Sequence, residues 1–206
     1  MNDVTAYPGQ PETAAPLWER TRNRVREEIT DVALKLFLDN GFENTTVDRI
    51  VATAGISRRS FFRYFGTKED IVFGDLGEQG PVIGAALRQR PDSEPIWTAL
   101  RHAFTVLNMH SPQRGVAIGR LVATSPALRA AHLEKHLRWQ EDLVPEVERR
   151  LGAGDAPPGL RGRAIVATAL ACLDAATAVW LDNDGGGGLE ELDRLCEQAL
   201  TAVRQS

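Results

Sequence analysis

The chain has 206 residues and a net charge of −4, and 43% of its residues are hydrophobic. This length and composition exclude global disorder and allow one compact domain, or a small domain joined to a larger one. The net charge of −4 excludes a protein whose whole surface is basic. However, residues 17–69 carry ten Lys and Arg against eight Asp and Glu, whereas residues 70–206 carry fourteen against eighteen. Local charge decides where a polyanion docks, so the first of these segments is a candidate nucleic-acid binder.

Membrane and export signals are missing from the sequence. No apolar run approaches the roughly 18 residues that a membrane span needs. Residues 1–16 lack the basic start and the apolar core of a signal peptide, and their composition predicts a disordered tail. We therefore expect a cytoplasmic protein with no membrane partner. Cys172 and Cys196 could form one disulfide, but buried reduced thiols are the expectation for such a protein.

Three helices are predicted before residue 67. Apolar residues recur at three- and four-residue steps over Leu17–Asn40, which predicts a long helix with one apolar face. A short helix follows, capped by Thr45 or Thr46, and Asp48 is placed to complete a capping box with Thr45. After a tight turn at "TAG", the stretch "RRSFFRYF" forms the third helix, with Ser57 at its N-cap.

The second and third helices together predict a helix-turn-helix over residues 46–65. Its apolar residues are expected to pack on the first helix: Val47, Ile50, Val51, Ala54, Ile56, Phe61 and Phe65. This packing leaves the opposite face of the third helix free to enter a DNA major groove.

The free face of the third helix is rich in arginine and aromatic residues. Three arginines on so short a helix repel one another in water, whereas a guanidinium beside a phosphate or a guanine edge donates two hydrogen bonds at once. Phe62 can contact a thymine methyl group, while Lys68 and Thr46 stand at helix starts, where an anion is favoured. The plainer alternative is a solvated basic face over an aromatic core. The predicted DNA-binding residues are Thr46, Ser57, Arg58, Arg59, Ser60, Phe62, Arg63, Tyr64 and Lys68.

The segment "ALKLFLDNGFENTTVDRIVATAGISRRSFFRYFGTKEDI" resembles the N-terminal domain of TetR-family transcriptional regulators. The shared features are Gly-Phe after the first helix, Thr-Thr-Val, Ala-Gly-Ile-Ser, the Phe-x-x-Tyr-Phe spacing and Thr-Lys-Glu. The resemblance implies an all-α homodimer that usually represses transcription and releases DNA when a small molecule enters its C-terminal domain. Phe62 stands where the family often has tyrosine, which puts one phosphate bond in doubt. Arg59 stands where glycine or alanine is frequent, so we expect it to add base specificity.

The remainder of the chain also has the patterns of helices, so the predicted fold class is all-α. A helix-turn-helix DNA-binding domain would occupy residues 17–66, and a helical ligand-binding and dimerisation domain residues 67–206. The helix that starts at Thr67 is expected to break near Gly80 and Pro81, because glycine and proline cost a helix about 1 and 3 kcal/mol. Further helices are predicted over Glu94–Met109, Pro112–Ala123, Pro126–Leu151, Leu160–Asp182 and Leu189–Arg204.

The C-terminal half resembles the mycofactocin-type regulators, described as binding acyl-CoA-like ligands, in "SPALRAAHLEKHLRWQEDL" and "LRGRAIVATALACLDAATAVWL". Its large apolar side chains lie on separate helices and could enclose a small-molecule effector, or they could simply fill a closed core. Inward-facing Arg120 or Arg138 would suit an anionic ligand, and Asp174 or Glu141 a cationic one. The predicted ligand-binding residues are Trp97, Phe104, Leu107, Arg120, Trp139, Leu143, Leu170, Asp174 and Trp180.

The last two helices are the predicted dimer interface. Residues 160–182 are rich in Ala and Thr, which permits close approach, and the final helix carries an apolar stripe. Pairing both helices with their symmetry mates would form a four-helix bundle, whereas the alternative is an apolar face used only within one chain. The stripe comprises Leu189, Leu192, Leu195, Cys196, Ala199 and Val203.

Other functions have less support. His132 and His136 have the spacing of a metal pair, but no third ligand stands out and Glu134 is on another face. We therefore expect surface histidines, no metal and no cofactor. The "GGGG" run follows a helix rather than a strand, and no nucleophile–base motif appears, so no enzyme is predicted. A DNA-binding protein that is ligand-independent or gated by a partner protein stays open, as does an activator.

Overall fold

The computed structural model describes residues 16–74, 76–107 and 111–205, without the side chains of residues 76–78. The predicted tail lies outside these ranges except for Pro16. Regular structure in the described part is entirely helical. Its elements are α1 (Leu17–Asn40), α2 (Val47–Ala54), α3 (Arg58–Tyr64), α4 (Asp70–Phe73), α5 (Leu76–Gln89), α6 (Ile96–Phe104) with a 3-10 turn (Thr105–Leu107), α7 (Pro112–Thr124), α8 (Pro126–Leu151), α9 (Leu160–Asp182) and α10 (Gly188–Gln205).

The head, which we define as α1–α4, contains the predicted helix-turn-helix. Thr46 caps α2, since its Oγ1 accepts a hydrogen bond from Arg49 N at 3.2 Å. Ser57 caps α3 in the same way, and its Oγ accepts from Ser60 N at 3.0 Å. Between them Gly55 adopts a φ of 67°, in the left-handed region that side-chain-bearing residues rarely enter. The hydroxyl caps of Thr46 and Ser57 therefore fix where the two helices of the motif begin, and Gly55 allows the turn between them.

The predicted capping box at the start of α2 is wrong. Thr45 is buried, and its hydroxyl donates to backbone carbonyl oxygens at and just after the last turn of α1. Asp48 pairs instead with Arg58, at 3.2 Å. A reciprocal pair of this kind does precede α4, because Thr67 Oγ1 accepts from Asp70 N at 3.2 Å and Thr67 N donates to Asp70 Oδ2 at 2.9 Å.

The predicted helix break near Gly80 and Pro81 is also misplaced. The break lies at Gly74, where a φ of 75° ends α4, and α5 continues through Pro81. Pro81 lies in the second turn of α5, so its missing N–H removes a single intrahelical bond. Gly80 serves close packing, because a Cβ there would collide with the side chain of Asp142 on α8.

The body, which we define as α5–α10, follows the predicted helices closely. The bounds of α8 and α9 agree with the prediction, α7 ends one residue later, and α10 extends one residue further at each end. α6 passes into the 3-10 turn, and the end predicted at Met109 lies outside the described residues. By length and composition α9 could also cross a membrane, but core helices pass the same test, and α9 packs against both α8 and α10.

Two apolar clusters hold the molecule together. The head cluster joins α1–α4 to Leu121 of α7 and Leu128 of α8. Of the seven residues predicted to pack on α1, four belong to this cluster and the other three are partly buried and pack against it. The body cluster lies among α5, α6, α8, α9 and α10. It includes Cys172 and Cys196, which are free, as predicted; burial raises the pKa of both, that of Cys196 to about 11. Because the head cluster takes residues from α7 and α8, the head is packed onto the body.

Ser125 connects head and body by hydrogen bonds. Its Oγ donates to Glu43 Oε1 at 2.6 Å, in the turn after α1, and accepts from Leu128 N at 3.1 Å. Its own N–H donates to Leu121 O, which makes Ser125 the C-cap of α7. The hydrogen bond from Ser125 lowers the pKa of the Glu43 carboxyl. One residue therefore caps the end of α7 and the start of α8 and holds the turn of the head.

Candidate nucleic-acid interface

α3 is held in the head by one face and exposes the other. Phe61 and Phe65 are buried in the head cluster, and their ring centroids lie 5.4 Å apart. Phe62 is 49% exposed and contacts Phe61 edge-on at 5.2 Å. We call the outward-facing set the α3 surface: Arg58, Arg59, Ser60, Phe62 and Arg63.

The three arginines of the α3 surface differ in their partners. Arg58 pairs with Asp48 at 3.2 Å, but both side chains are exposed, so this pair contributes little to folding. The Arg63 guanidinium lies 5.1 Å from the centre of the Tyr64 ring. Arg59 is exposed and has no hydrogen-bond or ion-pair partner within the described ranges. Its five N–H donors are therefore available to an external acceptor.

Lys68 has a role inside the head that the sequence did not indicate. Its Nζ donates to Phe42 O at 2.7 Å and to Thr45 O at 3.1 Å, and it lies 4.0 Å from the centre of the Phe42 ring. Burial lowers the pKa of this ammonium group. An ammonium has three donors, so one remains for a phosphate. Lys68 thus ties the start of α4 to the turn before α2.

The other predicted DNA-binding residues also lie at the surface. Thr46, Ser57 and the arginines of α3 are exposed, whereas Ser60, Tyr64 and Lys68 are half-buried. None of the nine lies in the core. Each capping hydroxyl accepts from the backbone, and that of Ser57 also bonds Ser60 Oγ at 3.1 Å.

Sequence reasoning missed the arginines at the start of α1. Arg22 and Arg26 line a surface cavity of about 250 Å3 together with Tyr64 and Asp70. The Arg26 guanidinium lies 5.3 Å from the centre of the Phe65 ring. The available signal was an arginine at every second position from residue 20 to residue 26. These side chains add two cations near Tyr64 of α3, in a cavity that Glu19 and Asp70 also line.

In the body, the structure gathers most of the predicted ligand-binding residues. Six of them belong to or pack against the body cluster: Trp97, Phe104, Leu107, Trp139, Leu143 and Leu170. Trp180 is buried elsewhere, against α7. The indole Nε1 atoms of Trp139 and Trp180 are buried and have no hydrogen-bond partner in the described part of the chain. Each is therefore a donor that a bound acceptor would satisfy.

The prediction that Arg120 and Arg138 face inward is wrong. Arg120 is exposed and pairs with Asp184 at 2.7 Å, and Arg138 pairs with Glu134 at 2.6 Å on the surface of α8. A second cavity, of about 600 Å3, lies between α1 and α7, and no predicted ligand residue lines it. Six of the predicted ligand residues thus form a packed apolar region, and neither Arg120 nor Arg138 faces it.

Asp174 lies opposite two histidines of α8, where it bonds His132 at 3.0 Å and lies 3.3 Å from His136. His136 is buried, so the expectation of two surface histidines is wrong. Burial lowers the pKa of His136 to about 4 and that of the neighbouring Lys135 to about 8. The Lys135 Nζ lies 4.6 Å from the Trp139 ring and 5.2 Å from that of Phe73 in the head.

The predicted dimer stripe on α10 faces the chain's own core for most of its length. Cys196 is 3% exposed, which contradicts its assignment to an interface. Leu192, Leu195 and Ala199 pack against the body cluster, whereas Val203 is 49% exposed. α9 instead exposes a row of small apolar residues: Ala164, Ala167, Ala171, Ala175, Ala178 and Val179.

Known protein families match both parts of this architecture. The family described as bacterial regulatory proteins, tetR family, matches residues 29–73, and the MftR C-terminal domain matches residues 94–204. The transcriptional regulator TcmR of Streptomyces glaucescens is 32% identical over 200 residues, which cover 91% of this chain and 86% of TcmR. This chain belongs to the TetR family. The predicted family, its mycofactocin-type C-terminal domain and the all-α fold are confirmed.

Other transcriptional regulators share parts of this sequence or its fold. The mycofactocin biosynthesis regulator MftR of Mycobacterium tuberculosis is 30% identical over 136 residues, covering 65% of this chain and 69% of MftR. A regulator from Pseudomonas aeruginosa PAO1 has a TM-score of 0.57 at 18% identity, covering 89% of this chain and 92% of that one. FadR of Bacillus subtilis, solved with stearoyl-CoA, has a TM-score of 0.54 at 19% identity over 85% and 95% of the two chains. The head of this TetR-family chain is therefore its DNA-binding domain.

Proposed function

We propose that this TetR-family transcriptional regulator represses transcription in a bacterial cytoplasm by binding a palindromic operator as a homodimer, and that a small molecule releases it. The observation that carries the DNA-binding part is the unpartnered Arg59 on a helix fixed by Phe61 and Phe65. A guanidinium displayed on a rigid helix can donate two bonds to guanine O6 and N7 in the major groove.

Different residues of the interface would contact the bases and the phosphates of the operator. Arg58 and Arg59, in the first turn of α3, read base edges, as the first residues of recognition helices do. Arg63, Tyr64 and Lys68 contact phosphates, which positions the head without carrying sequence information. Two recognition helices that face one side of the duplex then require half-sites about 34–36 Å apart.

We place the dimer interface on α9 and on the outer side of α10. The alanine row of α9 permits the close helix approach that a four-helix bundle needs, and Val203 is an exposed apolar residue of α10. Cys196 and its neighbours in the body cluster are not part of this interface. A stable dimer of this kind should bury at least about 1,200 Å2 in total.

The effector would enter the body cluster beside Trp139. The buried, unpartnered Nε1 of Trp139 offers one donor within an apolar environment, which suits an acyl or aromatic compound that carries an acceptor. FadR structures hold lauroyl- and stearoyl-CoA, but at 23% and 19% identity they share only the fold with this chain. On effector entry α4 would move at the Gly74 break, and the two recognition helices would separate.

Operator binding tests this proposal directly. Footprinting on the DNA that flanks the gene should reveal a two-fold symmetric site. In fluorescence anisotropy, Arg59→Ala should weaken binding to that site by about 1–3 kcal/mol and change binding to random DNA much less. Arg138→Ala, which removes an exposed arginine of α8, is the matched control, and this variant should bind the operator as the wild type does. Equal losses on specific and random DNA would contradict base reading by Arg59.

A ligand panel tests the regulatory part separately. Acyl-CoAs, aromatic acids and cationic dyes are added during thermal unfolding, and a ligand at 100 times its Kd should stabilise the protein by about 2.7 kcal/mol. The same compound should release the operator, and Trp139→Phe, which removes the indole donor, should weaken both effects. Stabilisation without release of DNA would contradict the effector role.

A further inference from the structure

Three side chains from two helices meet between the body and the end of α4. His132 Nε2 lies 3.0 Å from Asp174 Oδ1, and His136 Nδ1 lies 3.3 Å from Asp174 Oδ2. One nitrogen or oxygen atom of each residue lies within 4.8 Å of the other two. Ligand atoms around a tetrahedral zinc ion lie roughly 3.4 Å apart, given metal–ligand distances of about 2.0–2.2 Å. Small side-chain rotations are enough to direct all three atoms at one ion.

The helices hold these side chains at a fixed spacing. His132 and His136 are four residues apart on α8, so they share one face, and their ring centroids lie 4.4 Å apart. Asp174 projects from α9, which packs along α8. His136 packs on Trp139, with ring centroids 5.4 Å apart, which restricts its rotation. The geometry is therefore set by the fold before any ion arrives.

The ligand types select a class of ion. Imidazole nitrogen suits zinc, copper, nickel and iron, whereas magnesium and calcium prefer oxygen ligands alone. Three protein ligands leave a fourth position for water or a small molecule. The side chain of Asp174 is 44% exposed, so an ion can enter from solvent.

Lys135 is the nearest positive charge and would oppose a bound cation. Its side chain extends over the Trp139 and Phe73 rings, with Nζ 4.6 Å and 5.2 Å from their centres. It makes no ion pair with Asp174 within 4.0 Å, whereas both histidines do lie that close to the carboxylate. The carboxylate therefore remains directed at the imidazoles.

We propose that His132, His136 and Asp174 form a site for one divalent transition-metal ion of the zinc class. The site goes beyond the proposed function, because it requires neither DNA nor an organic effector. Its third ligand comes from a helix 42 residues away, which is why the histidine pair alone did not indicate a site.

Cobalt titration of the full chain without a histidine tag tests the site. Co2+ in a site with two nitrogen ligands and one oxygen ligand absorbs visible light, so we expect saturation at one ion per chain and displacement by Zn2+ but not by Mg2+ or Ca2+. His132→Gln and Asp174→Asn should each lower the cobalt affinity by about 100-fold or more, since even outer-shell changes cost 10–100-fold.

His102→Gln is the matched control. His102 also contacts a carboxylate, that of Glu94 at 2.9 Å, but it lies on α6 and belongs to no three-ligand cluster among the residues that the structure describes. Its variant should bind cobalt as the wild type does. Circular dichroism establishes that each variant is folded. If a folded His132→Gln or Asp174→Asn protein keeps the wild-type affinity, or if the wild type leaves millimolar cobalt unbound, the proposal is wrong.

Discussion

Arg59 in the head and Arg150 in the body have opposite roles in this molecule. Arg59 of α3 is exposed and has no partner within the described residues. Arg150, in the last turn of α8, is 4% exposed and bonds Glu146 at 3.0 Å. Its other N–H groups donate to carbonyl oxygens at and just beyond the end of α5: Leu87, Arg90 and Pro91. A guanidinium whose donors are satisfied inside the chain supports the fold, whereas an unsatisfied one is free to bind a partner.

The largest expected effect comes from removing the buried arginine. Arg150→Met should lower the free energy of unfolding by about 3 kcal/mol, because carbonyl groups at the end of α5 lose their donor and Glu146 loses one of its two arginines. Urea denaturation measures this loss. Arg149→Ala is the control, since Arg149 also bonds Glu146 but is 52% exposed, and it should cost less than about 1 kcal/mol. Equal costs would contradict the distinction between the two arginines.

Lys68 combines the two roles and should give the next largest effect. Lys68→Ala removes hydrogen bonds to Phe42 O and Thr45 O, so we expect a loss of about 2 kcal/mol in unfolding free energy. It should also weaken binding to all DNA sequences alike, because a phosphate contact reads no base. Arg59→Ala should leave the unfolding free energy within about 0.5 kcal/mol of the wild type. A Lys68→Ala protein of wild-type stability would contradict its structural role.

Ser125→Ala should have a smaller effect, at the junction of the two regions. Loss of the cap on α8 and of the bond to Glu43 should cost about 1–2 kcal/mol in unfolding free energy. Ser111→Ala is the comparison, since Ser111 caps α7 through a longer bond of 3.4 Å, and it should cost less. Chemical denaturation of both variants measures the difference in unfolding free energy. A larger loss for Ser111→Ala would contradict the stabilising role of Ser125 between head and body.

The smallest expected effect is a pH dependence in the body. The hydrogen bond from Arg90 is the main cause that lowers the pKa of Glu94 to about 2, from its usual 4.5. Because the folded-state pKa lies below the unfolded value, ionised Glu94 stabilises the protein above about pH 4.5, and this contribution is lost as the pH falls toward 2. The stability difference between wild type and Glu94→Gln should therefore shrink over that range. A stability difference that stays constant between pH 4.5 and pH 2 would contradict a stabilising role of ionised Glu94.

The sequence predicted the helix-turn-helix of the head better than the contacts between the body helices, because the signals of the helix-turn-helix are local. Thr46, Ser57 and Gly55 act within one turn of the residues that they cap or end, so a short stretch of sequence contains the whole cause. The meeting of Asp174 with His136 depends instead on how α8 packs against α9, which no short stretch contains. Periodicity on α10 indicated an apolar face but not whether that face meets its own chain, and for Cys196 it does.

Ser125 also limits how the head can move. A single oxygen atom bonds both the turn after α1 and the first turn of α8, at 2.6 Å and 3.1 Å. Moving that turn away from the body therefore breaks the bond that Ser125 Oγ donates to Glu43. The bond that Leu128 N donates to the same oxygen can remain, so α8 keeps its cap in either position of the head.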